Sequence, residues 1–355
     1  MKSFNHLYET AKSEKTRRES VHKVCLGRNK MRGLERYSKD EEETSKLALD
    51  WIENYHNATH HPIIISEGVK HKKRKIIVPT FQELTVQHCC VTALMPMFRK
   101  GMYEHTYASI PNRGAHKAKR FIEKWVREDA KNCMYILKMD IRHFFDSIPH
   151  DKLKAMLAKY IHDKKMLDLI CEIVDVTDKG LPLGFYTSQW LANWYLQGLD
   201  HYIKEELQAV HYVRYMDDMV VFGSNKKKLH KTREAIEKYL RERLGLKLKD
   251  NWQVFRFDYI KNGKHYGRDL DFMGFRFFRN RTVLRRSIML KATRKAKRIR
   301  KKGRATIYDV RQMLSYLGWI DCTDTYQMYK DRIRPYVDVS RYKRRISEYD
   351  KRQAG

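Results

Sequence analysis

The pattern of apolar and polar positions in this chain changes texture once, near Ile63. Before it, residues 1 to about 60 are basic with helical spacing, and Leu47, Trp51 and Ile52 give one short apolar stripe that Pro62 ends. After it, short apolar runs alternate with helical stretches. A basic hairpin is predicted around Lys70 to Val78, followed by an apolar-rich helix from Gln82 to Phe98. Cys133 to Ile141 has strand character and ends in Asp140, and Asp151 to Tyr160 resumes as a helix behind Pro149. Tyr212-Val213-Arg214 and Met219-Val220-Val221-Phe222 flank Tyr215-Met216-Asp217-Asp218, which predicts a β-hairpin with a tight turn. Residues 226 to 244 set Leu229, Ile236, Leu240 and Leu244 on one helical face, with Gly245 as the stop signal. Leu270 to Phe278 reads as a strand, turned by Asn280-Arg281 into Thr282 to Leu284. Thr306 and Asp309 read as a capping-box start to a helix carrying Ile307, Val310, Leu314 and Leu317.

The hairpin turn carries the chemistry. Strands are depleted in Asp and adjacent like charges repel, so packing does not explain Asp217 beside Asp218; a cation does. A pair of Mg²⁺ ions is the physical candidate, because Mg²⁺ takes oxygen ligands and neutralises phosphates during in-line displacement. Such a site needs a further carboxylate from another strand. Asp140 supplies it, at the exit of the apolar run Ile136-Leu137-Lys138-Met139. A helix N-cap role explains Asp146 or Asp151 well, but explains Asp140 poorly because extended residues follow it.

Composition narrows what the site serves. At 355 residues, with 42% hydrophobic and 12% aromatic content, the chain is long enough for two or three lobes with real cores. The net charge of +31 creates a positive field whose natural counterpart is the nucleic-acid backbone. From Lys291 to Arg304 the basic residues are dense enough to repel one another unless an anion lies along them, and Arg294, Lys295, Lys297, Arg298 and Lys301 are the candidate contacts. No membrane role is read, since there is no apolar stretch of about 18 residues and no signal-peptide core behind the basic start. A cytoplasmic location is expected. The six cysteines form no Cys-x-x-Cys, so buried thiols are expected rather than disulfides or zinc, and His60-His61 and His88 with Cys89 lack a second ligand pair.

Several stretches, in this order, resemble the motifs of reverse transcriptases. Arg74-Lys75-Ile76-Ile77-Val78-Pro79 is similar to the fingers motif, Tyr107 to Gly114 to the loop after it, and Asp140 to Ile148 to motif A. Residues 180 to 190 resemble motif B, 212 to 222 motif C, and Leu270-Asp271-Phe272-Met273-Gly274-Phe275 the primer-grip hairpin. The resemblance implies an α+β right-hand polymerase fold: a basic helical extension over 1–62, fingers and palm over 63–285, with an antiparallel sheet plus helices, and a basic helical thumb over 286–355. It implies catalysis by Asp140, Asp217 and Asp218, two Mg²⁺ ions on these carboxylates and the Ile141 backbone carbonyl, and dNTP substrates. Arg74 matches the arginine that grips the triphosphate, with Lys70, Lys72 or Lys73 assisting, and Phe145 the aromatic that excludes a ribose 2′-hydroxyl. Phe144 serves the core while Phe145 points the other way.

Motif B separates the subfamilies. Where retroviral, retron and intron enzymes commonly have Gln-Gly, this chain has Leu183-Gly184, and it continues Ser188-Gln189 where bacterial enzymes usually have Ser-Pro. That combination resembles the bacterial or phage-encoded reverse transcriptases of diversity-generating retroelements, which copy a template RNA with errors opposite adenine and feed the cDNA into a variable gene. A glutamine can hydrogen-bond beside the incoming nucleotide, whereas Leu183 offers contact area alone. The resemblance further implies as partners the template RNA, its RNA/cDNA heteroduplex and a small basic accessory variability protein that forms a pentamer. Two alternatives stay open: a retron-like or defence-type reverse transcriptase of ordinary fidelity, and a maturase-like RNA-binding protein without catalysis. Motif D departs from the common pattern, with Lys247 and Lys249 both available for its lysine.

Overall fold

The computed structural model describes residues 4–27, 34–67 and 72–354; Lys70 lies outside them. Four helices open the chain: α1 (Leu7–Lys12), α2 (Glu14–Gly27), α3 (Leu34–Ser38) and α4 (Glu41–Glu53). Asp40 caps α4 by accepting from the Glu43 amide, and three glutamates in the first turn suit the positive end of the helix. The apolar stripe of α4 is turned relative to expectation. Ile52 is buried, but Leu47 is 46% exposed and Ala48 takes the inward position, where its small side chain sits with Val21, Val24, Phe81 and Leu84.

β1 (Ile63–Glu67) and β2 (Lys72–Ile76) pair antiparallel, Ile63 with Ile76 and Ile65 with Arg74. α5 (Phe81–Arg99) begins in a full capping box between Thr80 and Glu83. It is buried nearly all round, through Leu84, Val86, Cys89, Cys90, Val91, Leu94, Met97 and Phe98, as befits a helix inside a core. α6 (Ala115–Glu128), β3 (Tyr135–Asp140), α7 (Phe144–Ser147), α8 (His150–Ala158) and α9 (Lys164–Val174) follow. Then come α10 (Tyr186–Tyr195), α11 (Gln197–His201, continued by a π-helical turn over Tyr202–Glu206), β4 (His211–Tyr215) and β5 (Asp218–Gly223). α12 (Lys226–Tyr239) runs into a π-helical turn, Leu240–Leu244, that ends at Gly245 with φ 66°. Leu229, Ile236, Leu240 and Leu244 are all buried, as their spacing requires.

The remaining elements are β6 (Gln253–Arg256), β7 (Tyr259–Lys261), β8 (Lys264–Tyr266), β9 (Leu270–Phe272), β10 (Phe275–Phe277), β11 (Thr282–Leu284), α13 (Arg286–Lys302), α14 (Ile307–Asp321), α15 (Tyr326–Arg332) and α16 (Val339–Ala354). Leu270 to Phe278 is therefore a hairpin, not one strand. Met273 and Gly274 take φ of 52° and 89°, and the chain reverses there so that Phe275 pairs with Phe272. Asn262-Gly263 makes a second hairpin, β7 to β8, that the hydrophobic pattern did not reveal.

Two compact units divide the chain, one holding residues 1–112, 138–221 and 230–253 and the other 113–137, 222–229 and 254–355. Strands β3 to β6 form a four-stranded sheet in the order β4-β5-β3-β6, and β9 to β11 a three-stranded one in the order β11-β10-β9. In the second unit α13 buries Met289, Ala292, Ala296 and Ile299. Its neighbour α14 starts in the capping box of Thr306 and Asp309 foreseen from the sequence. Cys25, Cys89, Cys90 and Cys133 are buried thiols, Cys171 and Cys322 are partly so, and all six are free. Among the described residues no helix is long and apolar enough to cross a membrane.

Candidate active site

The first unit brings Asp140 and Asp217 together. β3 delivers Asp140 at its last residue, and the turn between β4 and β5 is just two residues long, Met216-Asp217, so that Asp217 sits at the reversal and Asp218 opens β5. The Ile141 amide donates to the Asp217 carbonyl at 3.3 Å, which fixes the end of β3 against the turn. On the opposite edge Ile141 bridges Leu248 antiparallel: the Lys249 amide donates to Asp140 O and the Arg142 amide to Lys247 O, each at 2.8 Å. In that pattern the Ile141 N–H and C=O both face the Asp217 side.

The same register carries the Lys249 side chain to Asp140, where its ammonium donates to Oδ2. Of the two motif D lysines, Lys249 is the one that reaches the carboxylates. Oδ1 of Asp140 is buried with no hydrogen-bond partner. Burial pushes the Asp217 carboxyl up to about 6, and the charge of Asp140 and a hydrogen bond to it add to the push. Two carboxylates forced together, one with an unsatisfied buried oxygen, make a donor set of hard oxygens that fits a divalent cation. Among the described residues no three His, Cys, Asp or Glu side chains already converge as a ready-made cluster; the approach that exists is the Asp140–Asp217 pair.

The turn is held from behind by a buried polar network that the sequence reading passed over. Met216 takes φ 59°, a left-handed conformation that is rare for a side chain of this kind. Its carbonyl accepts from Arg214 Nη1 at 3.0 Å. Arg214 is 1% exposed and is paired side-on with the equally buried Asp200, Nε to Oδ1 at 2.7 Å and Nη2 to Oδ2 at 2.5 Å. Tyr212 Oη donates to Asp200 Oδ1 at 2.8 Å, Arg214 Nη1 donates to Asn193 Oδ1 at 3.1 Å, and Asn193 Nδ2 donates to Ala108 O at 2.9 Å. An arginine inside an apolar strand, fourteen residues after an aspartate on a helix, was the available signal.

The other residues singled out from the sequence divide by place. Arg74 lies on β2, half-buried like Ile76, while its neighbours Lys73 and Lys75 are exposed, as strand alternation dictates. Phe144 is buried and Phe145 half-buried on α7, their rings 5.5 Å apart. Leu183 is half-buried, its carbonyl accepting from the Ile77 amide at 2.8 Å. Gly184 follows at φ 115°, where a Cβ would lie 2.1 Å from the Ile77 carbonyl oxygen, so no other residue fits this approach. Leu183 also walls a cavity of about 600 Å³ with His60, Lys75, Asp146, Thr177 and Lys179. Gln189 is exposed on α10.

In the second unit Arg294, Lys297, Arg298 and Lys301 are exposed on α13. Lys295 differs: its side chain is only 13% exposed and its ammonium donates to Asp309 at 2.5 Å, which holds that carboxyl well below the usual range. Its charge is therefore met within the protein.

A strand-end carboxylate set against a hairpin-turn carboxylate, on a sheet flanked by helices, is the arrangement expected of a polymerase palm. Residues 67–277 match the family described as reverse transcriptase (RNA-dependent DNA polymerase), and the chain belongs to that family, with its right-hand polymerase fold. It is 30% identical over 133 residues to the retron Ec73 reverse transcriptase of Escherichia coli, covering 34% of this chain and 40% of that one. It is 25% identical over 178 residues to the group II intron-encoded protein LtrA of Lactococcus lactis subsp. cremoris, covering 46% and 28%. Its alignments thus span less than half the length of these curated relatives. Among solved structures it is similar to apo telomerase from Candida tropicalis, with a TM-score of 0.46 and 14% identity over 67% of this chain and 59% of that chain.

Proposed function

We propose that this protein is an RNA-directed DNA polymerase that copies a template RNA into cDNA with frequent errors at adenines, for diversification of a variable target gene. The approach of Asp140 to Asp217 carries the polymerase reading, because two half-buried carboxylates, one with a buried oxygen that has no hydrogen-bond partner, call for cations. Two Mg²⁺ ions, when held by Asp140, Asp217, Asp218 and the Ile141 carbonyl, supply the charge that acidifies the primer 3′-hydroxyl and offsets that of the triphosphate. Lys249 holds the Asp140 carboxylate in place through its ion pair. Arg74 grips the triphosphate with a planar fork, and Phe145 closes the space a ribose 2′-hydroxyl needs. The exposed cations of α13 hold the RNA/cDNA heteroduplex, and a pentameric basic accessory protein and the template RNA complete the assembly.

Leu183 supports the error-prone subtype. A site with one fewer polar group beside the nucleotide discriminates less, by about 1–3 kcal/mol for one missing hydrogen bond. The similarity to the retron Ec73 enzyme favours the second reading, a retron-like polymerase of ordinary fidelity. Deep sequencing of cDNA made on one RNA template, with the accessory protein present, decides between them. Leu183→Gln is expected to lower misincorporation opposite adenine by roughly tenfold, for a hydrogen bond of about 1.4 kcal/mol. An unmodified enzyme already accurate at adenines would refute the error-prone reading, and one that extends no primer would refute both.

A further inference from the structure

We propose that the hairpin of β7 and β8 is a contact for an unpaired RNA segment, made by stacking and by phosphate pairing. The inference rests on the reading that RNA is this chain's template. The hairpin reverses at Asn262-Gly263, with φ of 50° and 72°, and pairs Tyr259 with Tyr266 and Lys261 with Lys264. Two three-residue strands are marginal in water by themselves. This pair is fixed at its root instead. The Asp258 amide donates to Arg268 O at 3.0 Å and the Arg268 amide to Arg256 O at 2.9 Å. Gly267, at φ 81°, brings the backbone so close that a Cβ would lie 2.4 Å from Phe257 O, and Asp258 Oδ2 accepts from the Arg279 amide at 2.9 Å.

What this fixed base presents is a ladder of flat groups. Tyr259 and Tyr266 stack at 5.6 Å and 26°, and the Arg256 guanidinium lies 4.8 Å from the Tyr259 ring and 4.9 Å from that of Tyr135. Tyr266 is 46% exposed at the open end. Lys261 and Lys264 stand directly opposite each other, an arrangement that destabilises a strand pair, and neither has an ion pair among the described residues. From Tyr259 to Arg268 there is no carboxylate. An exposed ring beside cations without ion pairs, with Asp258 engaged at the root by His265 and the Arg279 amide, is what the bases and phosphates of a single strand require.

The test is anisotropy of a fluorescein-labelled oligouridylate titrated with the full chain, in EDTA, over a series of KCl concentrations. Replacing both lysines, Lys261→Ser with Lys264→Ser, is expected to weaken binding and to flatten the log–log salt slope by about 1.4, roughly 0.7 per phosphate contact. Tyr266→Ala is expected to weaken binding roughly 5- to 150-fold with the slope unchanged, and Tyr266→Trp to restore it. Melting temperatures within a degree or two of the unmodified chain keep the comparison free of misfolding. If the unmodified chain binds and all variants match it in affinity and slope, the hairpin inference falls alone, as it does if the hairpin serves a protein partner. If the unmodified chain does not bind, the template reading falls with it.

Discussion

Replacing Arg214 separates holding the fold from aiming the site. Arg214 and Asp200 are each 1% exposed, so Arg214→Met strands a buried carboxylate and removes the donor to Met216 O. Breaking a buried pair from one side costs about 3–5 kcal/mol, a large part of the roughly 5–15 kcal/mol that a domain of this kind has. Adding Asp200→Asn removes the stranded charge and keeps an acceptor for the Tyr212 hydroxyl, so the double variant is expected to recover most of that loss. Activity is not expected to follow. Met216 in its left-handed conformation carries strain of about 1–3 kcal/mol, and without the arginine nothing in this network holds its carbonyl. A turn that relaxes by about 1 Å displaces Asp217 enough to cost on the order of 100-fold in rate. Urea unfolding and single-turnover primer extension, read on both single variants and the double, measure the two effects side by side. Recovery of extension in step with stability would refute the aiming role and leave the network as a prop for the fold.

Asp217→Asn is expected to abolish incorporation and yet to raise the melting temperature in metal-free buffer at pH 8, checked by primer extension and thermal melts. The sign follows from its carboxyl being pushed up to about 6: the stability this proton supplies is complete below the unfolded value of about 3.8 and is lost as pH rises through 6. The same proton competes with a cation, so the Mg²⁺ concentration for half-maximal extension is expected to climb below about pH 6, by up to tenfold per pH unit. Gly184→Ala, with a Cβ 2.1 Å from Ile77 O, is expected to lose more than about 2 kcal/mol in urea unfolding; a neutral result would show that residues 183–184 separate from Ile77 without cost. Phe145→Ala is expected to admit ribonucleotides in a primer-extension competition, and unchanged discrimination would return Phe145 to the core.

The parts of this molecule that follow from local pattern were legible in the sequence. The α5 helix, the face of α12, the Thr306 capping box and the hairpin carrying Asp217 are each set by residues within a few positions of one another. In the apolar pattern the break at Met273-Gly274 was hidden because Phe272 and Phe275 are both apolar; the resemblance to the primer-grip hairpin pointed to a reversal there, and the backbone angles show it. Leu47 misled because Ala48 is a weak hydrophobic signal but the better fit at a close helix contact. Lys249 was left level with Lys247 because the choice depends on the register between two chain segments 109 residues apart. Arg214 was read as a motif flank, since its partner Asp200 lies on a helix with no periodic relation to the strand.

The way the two units share the chain has a consequence for biosynthesis. The first unit is written in three pieces and lacks its last until Gln253 has left the ribosome, while residues 113–137 and 222–229 belong elsewhere. At about 5–20 residues per second, the nascent chain waits roughly 7–28 s between residue 112 and residue 253. Through that interval α5 has its apolar surface made but not all of its partners, since α10, which carries Trp190 against Phe98, emerges only about midway through it. Lys249 is among the last residues of the unit to arrive, and its ammonium meets Asp140 only as the unit closes.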